Sequence, residues 1–203
     1  MFVSGRATNS STDVNFNNAN ICGEGIIYLS KLVDVSSQLQ TFYLGYNQID
    51  NMESACFLTR SLRSHTRICQ LSLPHCDLGS SPEILSVILQ SDVGYIDLGH
   101  NNIDSLGAVK IAEYLEVDPP IQRIDLECNQ LNDNDAILIS QALKRNKNLT
   151  TIHILSNNIT SVGVKALLSC FFDSSSLNAI SESNHTLVGM IMLWRGNNET
   201  RLY

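Results

Sequence analysis

An eleven-residue pattern returns along this chain at nearly constant spacing, and no other feature limits its fold so strongly. Copies lie at residues 39–49, 68–78, 93–103, 121–131 and 149–159, with a degenerate one at 177–187 and an N-terminal one at 11–21. The ninth position holds Ala19, Asn47, Cys76, Asn101, Asn129, Asn157 and His185, at intervals of 28, 29, 25, 28, 28 and 28 residues. The fourth, sixth and eleventh positions give 21 sites, of which only Glu182 is polar. At 43% hydrophobic residues, composition alone would fill about nine of them, so the repeat is not an accident of content.

Two periodicities alternate inside each unit. Around Ile124 and Leu126 the apolar spacing is two, which predicts a strand with one buried face and with Arg123, Asp125 and Glu127 on the other. Spacing of three and four follows at Ile26, Leu29 and Val33, at Ala55, Leu58 and Leu62, and at Ala108, Ile111 and Leu115. The same spacing marks Ala136, Ile139 and Leu143, then Val164, Leu167 and Phe171. Gly25, Gly107 and Gly163 recur just ahead of these helices, where a tight turn is expected to need an absent Cβ. Pro82 takes that place in the shorter unit and suits a first helical position. Residues 61–67, 119–120 and 145–148 read as returns to the next strand.

A short strand with one apolar face cannot bury that face alone. Stacked copies can, as a parallel sheet backed by helices, and each buried Leu or Ile then contributes about 1.5–3 kcal/mol. After each strand the backbone bends inward and needs donors and acceptors. An amide side chain supplies both, so Asn47, Asn101, Asn129 and Asn157 are expected to form a structural ladder.

These motifs resemble the leucine-rich repeat, and the 28-residue interval is similar to its ribonuclease-inhibitor-like subclass. The resemblance covers residues 11–187 and also implies that Cys76 can stand in the asparagine ladder. It implies an α/β leucine-rich-repeat solenoid: a right-handed horseshoe arc of about six to seven βα units, with a concave parallel sheet and convex helices. The expected organisation is a polar tail at 1–10, units near 11–38, 39–67, 68–92, 93–120, 121–148, 149–176 and 177–194, and a C-terminal tail at 195–203. Residues 187–194 are expected to form the last helix. No cap is evident at either end, which leaves open a fragment of a longer array or a complete small monomeric protein.

The chain carries 13 Lys and Arg against 20 Asp and Glu, a formal net charge of -7. That balance argues against a nucleic-acid or anionic-membrane partner. Six cysteines without a C-x-x-C or a zinc-like spacing are expected to be reduced thiols, in an intracellular, cytoplasmic or nuclear chain. Five N-x-[ST] sequons, against about three expected from the Asn, Ser and Thr content, add little to the opposite reading.

The side chains between the core positions vary from unit to unit, as recognition of a large partner requires. Candidate binding residues are Tyr43, Tyr95, Asp97, Arg123, Asp125, Glu127 and His153, and Tyr and Arg are types enriched at binding hot spots. Asp13, Asp97, Asp125 and Glu127 outnumber the single Arg123 on this face, which favours a partner with a basic surface. His153 with Asp125, or His100 with Asp97, could form a histidine–carboxylate pair. No nucleophile motif, phosphate loop or metal-ligand set accompanies either, so no enzyme activity, cofactor or metal is expected. His75 and His100 read as loop-packing residues. The resemblance implies a protein-binding module. Its alternatives are a small-GTPase regulator similar to the Ran GTPase activators, a fragment of an immune-type sensor, or a spacer without a site. The Ran activators typically end in an acidic tail, and 195–203 is not one.

Overall fold

The computed structural model describes residues 12–65 and 67–170, together with the backbone of 189–191. Strands and helices alternate: β1 (Asp13–Asn15), α1 (Gly23–Val35), β2 (Thr41–Tyr43), α2 (Met52–Ser64), β3 (Gln70–Ser72), α3 (Pro82–Leu89) and β4 (Tyr95–Asp97). Then come α4 (Ser105–Glu116), β5 (Arg123–Asp125), α5 (Asp133–Arg145), β6 (Thr151–His153), α6 (Ser161–Ser169) and β7 (Gly189–Ile191). The strands form one seven-stranded sheet in sequence order, parallel throughout. Equivalent repeat positions pair without stagger, Phe42 with Leu71, Ile96 with Ile124 and Ile124 with Ile152. This is the α/β solenoid that the repeat predicts.

The core lies between sheet and helices. Phe42, Leu71, Ile96, Ile124 and Ile152 are fully buried from the strand side, and Ile26, Leu58, Ile111 and Ile139 from the helix side. In the first unit, Val14, Phe16 and Ile21 are only partly buried, because among the described residues no unit stands before them. The 25-residue interval is absorbed by α3, whose eight residues replace the twelve or thirteen of α1, α2, α4 and α5.

Helix starts follow local chemistry. Asn51, Asp104, Asn132 and Thr160 each accept a hydrogen bond from a first-turn amide of the helix that follows. Asn132 and Asp135 complete a reciprocal capping box. Pro82 occupies the first turn of α3, as expected.

Several expectations are corrected. Gly25, Gly107 and Gly163 do not form a turn: each lies inside a helix, and no glycine among the described residues has positive φ. Their role is steric. A Cβ on Gly107 would sit 2.6 Å from Cγ2 of Ile103, and one on Gly163 would sit 2.7 Å from Cγ2 of Ile159. Where the eleventh position is Leu131, which has no branch at Cβ, the equivalent helical site accepts Asp135. The return at 61–67 begins later than expected, since α2 continues to Ser64 and buries Ser61 and Leu62. Residues 177–187, expected as a seventh unit, lie outside the described residues. The segment that pairs with β6 is Gly189–Ile191, a strand inside the stretch expected as a helix.

The asparagine ladder is directional. Asn101 takes the amides of Cys76 and Leu78 on its Oδ1, at 2.9 and 3.2 Å, and donates to the carbonyl of Leu73 at 2.7 Å. Asn129 does the same for Asn101, Ile103 and Leu98, each at 3.0 Å. Asn47 accepts from Ile21 and donates to Phe16, while Asn157 accepts from Leu131 and donates to Leu126. Every asparagine therefore serves the turn of the unit before it. Ala19 stands in the first described unit, where there is no such turn to serve. Cys76 donates to Leu44 at 3.4 Å, and burial pushes its thiol up to about 11, with the amides of Asn47 and Tyr46 pulling the other way.

Candidate protein-binding face

Side chains on the open face of the sheet fall into two ordered rows. The first contains Asp13, Thr41, Gln70, Tyr95, Arg123 and Thr151; the second contains Asn15, Tyr43, Ser72, Asp97, Asp125 and His153. Repeat stacking thus places Tyr95 beside Arg123 and Asp125 beside His153. The Arg123 guanidinium lies over the Tyr95 ring, 4.7 Å from its centroid. It also meets Nε2 of His153 at 3.2 Å, and His153 Nδ1 lies 3.0 Å from Asp125 Oδ2.

These contacts fix a tautomer. A guanidinium can only donate, so Nε2 accepts and the imidazole proton sits on Nδ1, from which it is donated to Asp125. Asp125 and His153 are nearly enclosed, with 14% and 10% of their side-chain surfaces exposed. The chain Tyr95–Arg123–His153–Asp125 is therefore a preset cluster in which one cation and one carboxylate balance across a neutral imidazole. Burial, followed by Asp97 and Asp125, pushes the Tyr95 hydroxyl up to about 12, so it stays a neutral phenol.

The other candidates have more local roles. Asp97 accepts from the Ser72 hydroxyl at 2.9 Å and from the Gly99 amide at 3.0 Å. Asp125 accepts from the Glu127 amide at 2.9 Å, and Asn15 accepts from the Asn17 amide at 2.9 Å. This side chain-to-amide bond two residues on shapes the exit from three strands, which accounts for an acidic or amide residue there. Tyr43 is half-buried on β2, two strands from Tyr95. Glu127 is half-buried where the chain leaves β5, beside the Cys128 thiol at 3.9 Å.

His100 does not pair with Asp97, whose oxygens already serve Ser72 and Gly99. It stacks on His75 instead, with ring centroids 4.2 Å apart, and His75 stacks on Tyr46 at the same distance. Sequence reasoning assigned His75 and His100 to loop packing and passed over Tyr46. All three share the eighth repeat position, and that coincidence was the available signal.

Charge is segregated along each unit. From the start of each strand to the start of the following helix, β1 through α6, there are seven acidic residues and one Lys or Arg, namely Arg123. The other nine described Lys and Arg residues lie in the helices or in the returns that follow them. Among the described residues, no group of three or more His, Cys, Asp or Glu could hold a metal ion. Nor is any helix among them long and apolar enough to cross a membrane. All six cysteines are free.

A family model described as "Leucine Rich repeat" matches residues 95–112 and 145–168. Among solved structures, the chain is similar to leiomodin-1 actin-binding site 2, with a TM-score of 0.55 at 16% identity, covering 72% of this chain and 82% of that one. The strand-to-helix units, the backward-reaching asparagines and these matches agree: the chain folds as an α/β leucine-rich-repeat solenoid.

Proposed function

We propose that the chain is a non-catalytic interaction module that binds a protein partner with a basic surface through the open sheet face and the turns beside it. The observation that carries this reading is the preset Tyr95–Arg123–His153–Asp125 cluster, set in strand-to-helix segments with seven acids and a single base. Side chains already held by one another lose little freedom on binding. Acidic surroundings steer a cationic partner and raise its on-rate. The non-catalytic part rests on occupancy: His153 Nε2, the atom that would take a proton as a base, already accepts from Arg123. The 28-residue spacing and full helices favour the ribonuclease-inhibitor-like subclass.

The test is capture from cell lysate by the wild-type chain and by Tyr95→Ala/Arg123→Ala. The double variant should lose capture while its thermal unfolding stays close to wild type, because the stack is at the surface and worth about 1 kcal/mol. Capture that survives in the variant removes the sheet face as the site. Purified actin is a natural probe to include, since the similar structure is named for an actin-binding site.

A further inference from the structure

Three consecutive turns present rings to solvent as a single stack. Tyr46, His75 and His100 lie with centroids 4.2 Å apart and planes within 15° at both steps. All three are exposed, Tyr46 by 54%. Their backbones are left-handed, with φ of 59°, 57° and 56°. Asparagine or glycine is the relaxed choice there, and Asn18 fills the same position in the first unit at φ 55°. A bulky residue in this conformation costs about 1–2 kcal/mol, and each stacked pair returns about 0.5–1.5 kcal/mol. Stability alone therefore gives these rings no advantage over asparagine at three turns in a row, and an outlier of this kind points to use.

The surroundings say what the stack would take. Asp97 is close enough to act on His75, and exposed Asp77 follows in the same turn, held by Asn102 at 3.2 Å. Beyond His100 the next turn carries Cys128, next to Glu127. No Lys or Arg lies in these turns, so the ladder is a flat π surface in an acidic setting. A planar guanidinium matches both properties: it stacks on rings and is drawn by carboxylates.

We propose that the Tyr46–His75–His100 ladder receives an arginine side chain from a basic segment of the partner protein, with the guanidinium extending the stack. This rests on the partner-binding reading above and adds the partner's chemistry and a pH dependence. Partial desolvation and the neighbouring His100 hold His75 below the ordinary histidine value, against the pull of Asp97. The His75 ring is then uncharged at neutral pH. When acid protonates His75 at the centre of the stack, it repels the guanidinium and the site closes.

The test uses the full chain and an acetylated peptide of alternating arginine and glycine, followed through the ring C–H signals of Tyr46, His75 and His100 by NMR. Saturable shifts at these rings are expected near neutral pH, with affinity falling about tenfold or more in acid once His75 is charged. The matching glutamate–glycine peptide should give none. His75→Asn/His100→Asn removes the rings yet suits the left-handed backbone, so folding is kept while affinity should drop about tenfold or more. Silent rings, equal binding by the glutamate peptide, or unchanged affinity in the asparagine variant each overturn the proposal. Ladder signals that stay silent while Tyr95 and His153 shift overturn the ladder alone and leave the sheet-face reading standing. Loss of that reading is scored separately, by the Tyr95→Ala/Arg123→Ala capture.

Discussion

Replacing Asn129 with alanine strips acceptor and donors from two adjacent turns at once. The amides of Asn101 and Ile103 each lose an oxygen at 3.0 Å, and the carbonyl of Leu98 loses its amide donor at 3.0 Å. The Leu126 carbonyl keeps a partner, because Asn157 also donates to it at 2.9 Å. Three groups are orphaned in a site where Asn129 is 7% exposed and Asn101 fully buried. At about 1–3 kcal/mol for each of the three buried groups left unpaired, less about 1 kcal/mol of side-chain entropy no longer lost, the net cost comes to roughly 2–8 kcal/mol. Urea unfolding followed by far-ultraviolet circular dichroism measures it, with exposed Gln130→Ala as a control expected within about 0.5 kcal/mol of wild type. Asn129→Asp keeps the acceptor but turns a second oxygen toward the carbonyls of Leu98 and Leu126, so it should not rescue. Asn157→Ala should cost about half as much, since its Oδ1 serves the single amide of Leu131. A loss below about 1 kcal/mol for Asn129→Ala would show that water replaces the amide, and the ladder argument would fail.

Gly107→Ala sets a methyl 2.6 Å from Cγ2 of Ile103 and should destabilise by about 1–3 kcal/mol, despite alanine's better helix propensity. Adding Ile103→Leu, on the pattern of Leu131 with Asp135, should recover most of that loss; a purely additive double variant refutes the steric account. Cys76, with its thiol raised to about 11, should resist alkylation at pH values where exposed Cys22, Cys56 and Cys69 react, as peptide mass spectrometry would show. Cys76→Asn gives the second turn the acceptor that the first, third, fourth and fifth turns have, and is expected to raise stability by about 1 kcal/mol in the same urea assay.

The repeat made most of the architecture legible, because one constraint is written several times. Val14, Phe42, Leu71, Ile96, Ile124 and Ile152 each say little alone, but together they fix both register and strand order. The failures came where the copies disagree. Residues 177–187 keep only part of the pattern, and the strand that completes the sheet is Gly189–Ile191. The recurring glycines were seen but misread, since sequence spacing cannot tell a turn from a close approach between a helix and Ile103. On the candidate face, row neighbours were legible, but contacts were not. Whether Arg123 reaches Tyr95, His153 or Asp125 depends on side-chain rotamers that no periodicity encodes. The Tyr46–His75–His100 stack was not legible because the eighth position also holds Asn18, Cys128 and Ser156, and nothing in the spacing says that neighbouring rings lie flat on one another.

Because each ladder amide reaches back to the turn before it, the array has a grain. Shortening from the C-terminal side would leave the newly terminal turn with bare amides and nothing to close it. Trimming from the N-terminal side takes away the amides and carbonyls that pair with the next asparagine, and water can solvate that one side chain at an exposed end. New units should therefore be easier to add or lose at the front than at the back, and a nascent chain would seal each turn only when the following unit emerges.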